Sequence, residues 1–417
     1  MQSTYPSLKK VIALDIRIVC SAFKSLKAEK GPLIQTTLEQ LKVQDLTREE
    51  IQKAHQTLAD IGISPVVVRE INLRHIEEYA AAFPEDFSRD GVAHLRKLLE
   101  QFRVVILDAT QRITGSYKEC GAAYAIDSLS FEEKALGVVT ASAGNHGLGV
   151  ALAAVNQQVL ATIVVPKSAP DIKKKNIAAL LENALKGSRF IEYGDTFDEA
   201  AAYARTLAGT YVSPYNHPNV WLGQAYNFTS AIKELSKMGI DVKDISKIIC
   251  PVGGGGFVSG VAQAAHHSKR EIEIIAVEPQ THAKFSSNPP PESFDQLISV
   301  PAGTVALADG TATKQYGNLT YWTLLKLVSD FHQVTNQEIK SSIRFLFQAM
   351  AITSEGAGAL PLAFLLKPIE EDTHMPPVTD GAKKPVILAY VSGRNIDPDA
   401  LTKILKENKM NRGQSLF

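Results

Sequence analysis

From about Arg103 onward, the sequence alternates short apolar runs with longer amphipathic segments. Six runs are predicted as strands, at residues 104–107, 137–141, 161–166, 247–251, 272–278 and 386–392. Segments with helical spacing lie between them, at residues 147–155, 196–207, 222–238 and 336–351. Strands nearly continuous in Val and Ile that alternate with helices are typical of parallel sheets buried on both faces. The pattern predicts an α/β fold with parallel-rich sheets flanked by helices, and ligands at the carboxyl ends of strands.

The first hundred residues have a different texture. Segments 21–41, 47–62 and 70–83 mix charged and apolar residues at helix-like spacing, and Thr47-Arg-Glu-Glu50 has the form of a capping box. We interpret residues 1–100 as a helical extension. This block carries no glycine-rich loop and no acid–histidine cluster that indicates chemistry.

Charge balance, apolar run length and cysteine spacing each argue against certain classes of protein. The chain has 44 Lys and Arg against 44 Asp and Glu, which offers no electrostatic footprint for nucleic acid or an anionic membrane. No run approaches the roughly 18 apolar residues of a membrane span, and the N-terminus does not have the form of a signal peptide. Cys20, Cys120 and Cys250 lie too far apart to indicate a disulfide framework or a structural zinc site. We expect a soluble cytoplasmic protein of enzyme-like size.

The strongest motif is a run of four glycines that follows the predicted strand 247–251. Gly253, Gly254, Gly255 and Gly256 lead into a predicted helix at residues 259–267. A strand–helix turn of this kind exposes several backbone N–H groups together, which suits a phosphate. The run is neither a Walker A loop nor the dinucleotide fingerprint, whose glycines are spaced. Taken alone, it is also compatible with a flexible turn.

A second strand–helix junction carries Ser142, Ala143, Gly144, Asn145 and His146. Small residues let backbone amides approach a ligand, and the polar side chains add hydrogen-bonding groups of defined direction. Ser and Asn are also preferred as helix caps, so capping stays open as an alternative.

Two further positions have reactive or polar side chains near strand ends. Lys118 lies among small and aromatic residues in Thr114-Gly-Ser-Tyr-Lys-Glu-Cys-Gly-Ala122. Burial lowers the pKa of a lysine and makes its amine a nucleophile that forms Schiff bases, although an isolated lysine is ordinarily solvated. Ser392 ends the last predicted strand, where its hydroxyl can meet a ligand; alone it indicates only a turn.

Together, these four motifs resemble the fold-type II pyridoxal-phosphate enzymes, and most of all their threonine/serine dehydratase branch. The resemblance extends from about Val104 to about Leu405, with the motifs in family order. Supporting stretches are Pro214-Tyr-Asn-His-Pro218 followed by Gly223-Gln224, Ala276-Val-Glu-Pro279, Ala308-Asp-Gly310 and Glu355-Gly-Ala-Gly-Ala359. The resemblance implies a two-lobed, tryptophan synthase β-like catalytic unit at residues 101–417. Its small lobe would span about 126–210, and its large lobe about 101–125 plus 211–417.

The resemblance also implies how the cofactor, pyridoxal 5′-phosphate, is held. Lys118 would carry it as an internal aldimine and then act as the base that removes the α-proton. Tyr117 would pack on its ring, Asn145 would hydrogen-bond its phenolic oxygen, and Ser392 would face its pyridine nitrogen. The phosphate would bind to Gly253, Gly254, Gly255, Gly256 and Phe257.

The implied substrate is a small hydroxy amino acid, threonine or serine, converted to a 2-oxo acid and ammonia by β-elimination. Its carboxylate would bind at Ser142, Ala143, Gly144, Asn145 and His146. Racemases of this branch usually have a second serine where this chain has Ala143, and a methyl group cannot move a proton. Dehydration is therefore favoured over racemisation.

Two departures from the family pattern keep alternatives open. The family usually places an arginine where this chain has Cys120. The charged run that usually precedes the lysine segment is replaced here by Leu107-Asp-Ala-Thr-Gln-Arg112. One alternative keeps the cofactor and changes the reaction, to β-replacement, racemisation or elimination from another amino acid. The other is a catalytically weak cofactor- or metabolite-binding protein.

The remaining expectations concern metal and assembly. Glu278 matches the first ligand of a divalent-cation site known in the family, but Lys284 stands where a second acid is expected. An ammonium there would neutralise Glu278, so our hypothesis is that no metal is required. Family members usually form dimers or tetramers, so we expect a homo-oligomer.

Overall fold

The computed structural model describes residues 45–83, 89–142, 144–268, 271–287, 293, 295–301, 304–367 and 383–407. Of the predicted segments and site residues, segment 21–41 and Ala143 lie outside these ranges. Within them, no helix combines the length and the apolar character that crossing a bilayer requires.

Helices and strands alternate along most of the described chain. In chain order they are α1 (Arg48–Asp60), β1 (Val67–Ile71), α2 (Leu73–Ala82), α3 (Arg89–Gln101), β2 (Arg103–Asp108), α4 (Lys118–Asp127), α5 (Phe131–Leu136), β3 (Val138–Ala141), α6 (Asn145–Gln157), β4 (Ala161–Val165), α7 (Asp171–Leu181), β5 (Arg189–Glu192), α8 (Phe197–Ala204), β6 (Thr210–Tyr211), α9 (Pro218–Lys237), β7 (Ile245–Pro251), α10 (Gly256–His266), β8 (Glu273–Pro279), α11 (Asn318–Leu327), β9 (Asp330–Val334), α12 (Asn336–Met350), α13 (Gly356–Leu366), β10 (Val386–Val391) and α14 (Pro398–Lys406). Short 3-10 helices lie at Val242–Asp244, Gln280–His282 and Asp309–Thr311.

The strands form two sheets. The larger has the order β1-β2-β10-β7-β8-β9, and the smaller has the order β5-β4-β3-β6. All neighbours are parallel except β1 and β2. The predicted α/β class is confirmed, and each of the six predicted strands is present within two residues of its expected ends. The predicted helices correspond to α6, α8, α9, α10 and α12.

Four strands were not predicted, and each lies at a sheet edge. β1 and β9 border the larger sheet, and β5 and β6 border the smaller one. Edge strands are covered less completely, so their sequences mix polar and apolar residues, as in Asp-Phe-His-Gln-Val of β9. The continuous Val/Ile signal of buried parallel strands is therefore weak in them.

The described part of the N-terminal block is helical apart from one strand, which corrects the prediction. α1, α2 and α3 are present, but β1 pairs antiparallel with β2, with Val68 opposite Leu107. The expected helix at residues 70–83 therefore begins later, at Leu73, because Glu70 and Ile71 belong to the strand. The mixture of charged and apolar residues around Glu70 and Ile71 predicts a helix, but these two residues belong to an edge strand.

The described part of this block packs on the rest of the chain through α1 and the loop that follows it. Ile51, Ala54 and Leu58 are buried on α1, which contacts α9. The Tyr226 hydroxyl donates to the carbonyl oxygen of Ile63 at 2.8 Å. Because α9 in turn packs on α4, the block supports the helix that begins with Lys118.

Glycines allow α4 and α9 to approach closely. A Cβ added to Gly223 on α9 would overlap the carbonyl oxygen of Cys120 and lie 2.7 Å from the Cα of Gly121. Both obstacles are backbone of α4, which moves only with the whole helix. The glycine at 223 therefore sets the position of α4, and with it that of Lys118.

We predict that Gly223→Ala lowers stability by about 2 kcal/mol, because overpacking outweighs the better helix propensity of alanine. Gly149→Ala on α6 is the control, since its added Cβ would lie 3.1 Å from its nearest neighbour, the Lys118 carbonyl oxygen. Thermal unfolding followed by circular dichroism measures both. Equal midpoints for the two variants would contradict the close-packing account.

Candidate active site

A cavity lies at the carboxyl ends of strands from both sheets. It is lined by the predicted site residues Tyr117, Lys118, Ser142, Gly144, Asn145, His146, Gly253, Gly254, Gly255, Gly256, Phe257 and Ser392. The structure therefore brings together all the predicted site residues that it describes. Parallel strands end at a common edge, which explains why motifs far apart in sequence meet here.

Lys118 is the first residue of α4, and its amine is held inside the cavity. Its Nζ donates to the carbonyl oxygen of Pro214 at 2.6 Å. Burial lowers the pKa of Lys118 to about 8, against the opposing attraction of the Glu355 carboxyl group. An amine with this pKa is partly neutral near pH 7, and the neutral form is the nucleophile and the base.

The glycine run forms the turn between β7 and α10. Gly255 has a φ of +96°, a conformation that favours glycine. A Cβ on Gly254 would lie 2.5 Å from ring atoms of Tyr215, and one on Gly253 would lie 2.8 Å from the Cα of Thr311. Side chains at these positions would fill the space enclosed by the turn Gly253–Gly256, which we call the glycine cradle. The first backbone N–H groups of a helix lack intrahelical partners, so they are available to a ligand. The turn thus fits a phosphate group.

The Ser142 hydroxyl caps helix α6. Its Oγ accepts from the backbone N–H of Gly144 at 3.1 Å and of Gly147 at 2.8 Å. The capping alternative therefore describes the observed contacts of this side chain. Capping also orders the backbone of the turn, and Ser142, Gly144, Asn145 and His146 line the same cavity.

His146 is buried beside this turn. Its Nε2 lies 3.1 Å from the carbonyl oxygen of Val212. Burial, and then the charge of Lys118, lower the pKa of His146 to about 3, so its ring is neutral. With the Nε2 proton directed at a carbonyl, Nδ1 is an acceptor, and only the backbone amide of His146 can donate to a carboxylate.

Tyr117, Phe257 and Ser392 lie on neighbouring walls of the cavity. The rings of Tyr117 and Phe257 have centroids 4.4 Å apart, and Phe257 also meets Tyr390 edge-on at 4.9 Å. The Tyr117 amide donates to the carbonyl oxygen of Ser392 at 3.0 Å. This contact fixes the segment before Lys118 against the end of β10.

Three polar residues at the cavity, Lys173, Asp309 and Glu355, were not among the predicted site residues. Lys173 of α7 pairs with Asp309, with Nζ 2.6 Å from Oδ2. Asn145 donates from Nδ2 to Glu355 Oε1 at 2.5 Å and accepts from Asn395 Nδ2 at 2.7 Å. Asp309 and Glu355 fall in the supporting stretches of the resemblance, whereas Lys173 begins a run of three lysines typical of a solvated surface.

A guanidinium group lies beside Cys120 although the family arginine is missing there. Arg112 is buried, and its Nη2 donates to Asn227 Oδ1 at 3.1 Å. The thiol of Cys120 lies 3.9 Å from the same oxygen. Arg112 also donates to the carbonyl oxygen of Ser64, in the N-terminal block. A fixed cation is therefore present near position 120, supplied from a different point of the chain.

Lys284 lies beside Glu278, as expected from their spacing. The Nζ of Lys284 is 3.4 Å from Glu278 Oε1 and 3.0 Å from the carbonyl oxygen of His282, and both charged side chains are fully buried. Tyr316 and Ser286 hydroxyls also donate to the carboxylate, each at 2.6 Å. That the protein needs no divalent metal stays a prediction.

The fold and the cavity are those of a pyridoxal-phosphate enzyme. Residues 92–377 match the family of pyridoxal-phosphate dependent enzymes, and the chain belongs to this family. Pyridoxal phosphate is therefore its cofactor, and the glycine cradle and the buried amine fit it.

Named relatives point to one branch of that family. The chain is 32% identical to the L-threonine ammonia-lyase of Thermotoga maritima, over 73% of this chain and 70% of the relative. It is 32% identical to a catabolic L-threonine dehydratase of Staphylococcus aureus, over 81% of this chain and 92% of the relative. Among solved structures, threonine deaminase isoform 2 of Solanum lycopersicum superposes with a TM-score of 0.66 at 26% identity, covering 88% of this chain and 95% of that one.

We predict that cofactor-free protein reacts with pyridoxal phosphate faster as pH rises, with a midpoint near pH 8. The reason is that only the neutral Lys118 amine attacks the aldehyde, and burial favours this form. Stopped-flow absorbance measures the rate. The rate for N-acetyl-lysine, corrected for the fraction of its own amine that is neutral, reports the ionisations of the cofactor, and dividing by this corrected rate removes them. Lys118→Ala should form no adduct; a midpoint above pH 10 would contradict the buried-amine account.

Proposed function

We propose that the chain is a pyridoxal-phosphate-dependent ammonia-lyase, or dehydratase, that converts L-threonine or L-serine to a 2-oxo acid and ammonia. One observation carries the proposal: the low-pKa Lys118 amine shares a cavity with the glycine cradle and the turn at Ser142. The threonine ammonia-lyase and dehydratase relatives support the choice of substrate class.

The cavity residues have distinct proposed roles toward the cofactor. When bound, pyridoxal phosphate supplies the electron sink for the reaction. Lys118 holds its aldehyde carbon, Asn145 hydrogen-bonds its phenolic oxygen, Ser392 faces its ring nitrogen, and Tyr117 packs on its ring. Its phosphate is held by Gly253, Gly254, Gly255, Gly256 and Phe257.

The chain's own groups then bind and deprotonate the substrate. The turn that contains Ser142, Ala143, Gly144, Asn145 and His146 binds the carboxylate through those backbone amides that do not donate to Ser142 Oγ or to Val164. The Lys118 amine removes the α-proton, for which a base with a pKa of about 8 is suited near neutral pH. The neutral ring of His146 adds no competing positive charge beside Lys118. Loss of the β-hydroxyl and hydrolysis give the 2-oxo acid and ammonia.

The proposal also covers the oligomeric state, the location and the size of the substrate. We propose a homo-oligomer, a dimer or tetramer, and a cytoplasmic location. The buried free thiols of Cys120 and Cys250 are compatible with a reducing compartment. The substrate is a small amino acid, for which the cavity offers charged and polar side chains beside the glycine turn.

The experiment is a screen of amino acids on cofactor-loaded protein, with release of 2-oxo acid and ammonia as the readout. We expect turnover of L-threonine or L-serine and none by Lys118→Ala. Formation of D-serine without ammonia would replace the proposal with a racemase. Cofactor binding without turnover of any amino acid would favour a non-catalytic protein.

A further inference from the structure

Glu355 lies directly before helix α13, and the roles proposed above leave its carboxyl group unused. Its side chain is 4% exposed and lines the cavity. Oε1 accepts from Asn145, whereas Oε2 has no hydrogen-bond partner in the described part of the chain. A buried carboxylate oxygen without a donor is costly. The oxygen is therefore unsatisfied until a ligand or a proton meets it.

The ammonium group of Lys173 lies nearer to Asp309 than to Glu355, and this difference indicates the charge of Glu355. Its Nζ lies 2.6 Å from Asp309 Oδ2 and 3.9 Å from Glu355 Oε2. Asp309 is 44% exposed, and an ionised carboxylate in the drier position would attract the ammonium more strongly. The preference for Asp309 is the arrangement expected when Glu355 is neutral.

The ammonium group of Lys173 links Glu355 to the turn proposed for the substrate carboxylate. A Cβ added to Gly144 would lie 3.5 Å from Lys173 Nζ, the same atom that is 3.9 Å from Glu355 Oε2. Glu355 and the Gly144 turn therefore both approach one ammonium group, and all three residues line one cavity.

Asn145 links the same carboxyl group to the cofactor side of the cavity. Asn395 Nδ2 donates to Asn145 Oδ1 at 2.7 Å and to the carbonyl oxygen of Thr114 at 2.8 Å. With a donor on one side and Glu355 Oε1 on the other, the amide of Asn145 has one orientation. Its second N–H remains free to face a ligand.

The surrounding charges act on Glu355 in opposite directions. Burial is the largest influence and raises the pKa of Glu355, and the negative charge of Asp309 adds to it. Lys173, the hydrogen bond from Asn145 and Lys118 act to lower the pKa. Tyr117 also faces the carboxyl group, and its own pKa is raised, mainly by burial. As pH rises, the neutral acid loses its proton and becomes an anion in the cavity.

We propose that Glu355 is a further substrate-binding residue, a neutral carboxylic acid that donates a hydrogen bond from Oε2 to the carboxylate of an α-amino acid. Ionisation removes this donor and places a negative charge beside the ligand carboxylate, so binding weakens. The inference rests on the proposed function only for the class of ligand, an α-amino acid.

The test measures the dissociation constant of L-alanine on cofactor-loaded protein between pH 6.5 and 9.5, from the change in cofactor absorbance. L-alanine has the α-carboxylate but no β-leaving group. Glu355→Gln is the matched variant, because glutamine keeps the acceptor and places a neutral donor at the second position. Dividing the wild-type constant by that of Glu355→Gln cancels the ionisation of the ligand amine.

We expect this ratio to lie near one at pH 6.5 and to rise about tenfold by pH 9.5, which is one electrostatic interaction of moderate strength. Asp309→Asn removes a negative charge that keeps Glu355 neutral. In this variant, the binding of L-alanine should therefore weaken at a lower pH than in the wild type. A constant ratio, or Glu355→Gln binding more than tenfold weaker at pH 6.5, would overturn the proposal.

Two features keep the test decisive. If Glu355→Gln does not fold by circular dichroism, the shift between wild type and Asp309→Asn decides, and an unchanged pH dependence overturns the proposal. L-alanine binding is measured without turnover, so a failure of the lyase proposal, seen as no product from threonine or serine, is a separate result.

Discussion

A short antiparallel bridge between the segment before Lys118 and the turn after β10 is the contact on which the site depends. Ser116 pairs with Gly393, the Tyr117 amide donates to the Ser392 carbonyl oxygen at 3.0 Å, and the Arg394 amide donates to the Gly115 carbonyl oxygen at 2.9 Å. These bonds fix the start of α4 against the centre of the larger sheet. They place a lysine amine and a serine hydroxyl in one cavity, and they hold the amine where burial lowers its pKa.

The N-terminal block acts on the same helix from the other side. It adds β1 to the larger sheet and packs α1 on α9, which crosses α4 at Gly223. Arg112 joins the block to the interior through Ser64 and Asn227. The block is thus part of the support of the lysine helix, and the guanidinium of Arg112 shares the Asn227 oxygen with Cys120.

Much of the fold and the centre of the site could be predicted because their signals are local. Lys118, the glycine run and Ser392 each follow a strand, and parallel strands end at a common edge. Glu355 and Lys173 could not be predicted in the same way. Their partners Asn145 and Asp309 are more than a hundred residues away, and nothing in a run of three lysines shows which one is buried. β1 was missed because an edge strand mixes charged and apolar residues as a helix does.

We propose that one lysine of this chain, Lys118, holds the cofactor. Borohydride reduction of cofactor-loaded protein, followed by digestion and mass spectrometry, locates the modified residue directly. We expect a single pyridoxyl group on Lys118, and none on Lys173, Lys247 and Lys284, which are the most buried lysines of the described residues. A modification at a different lysine, or none on protein that has bound the cofactor, would contradict it.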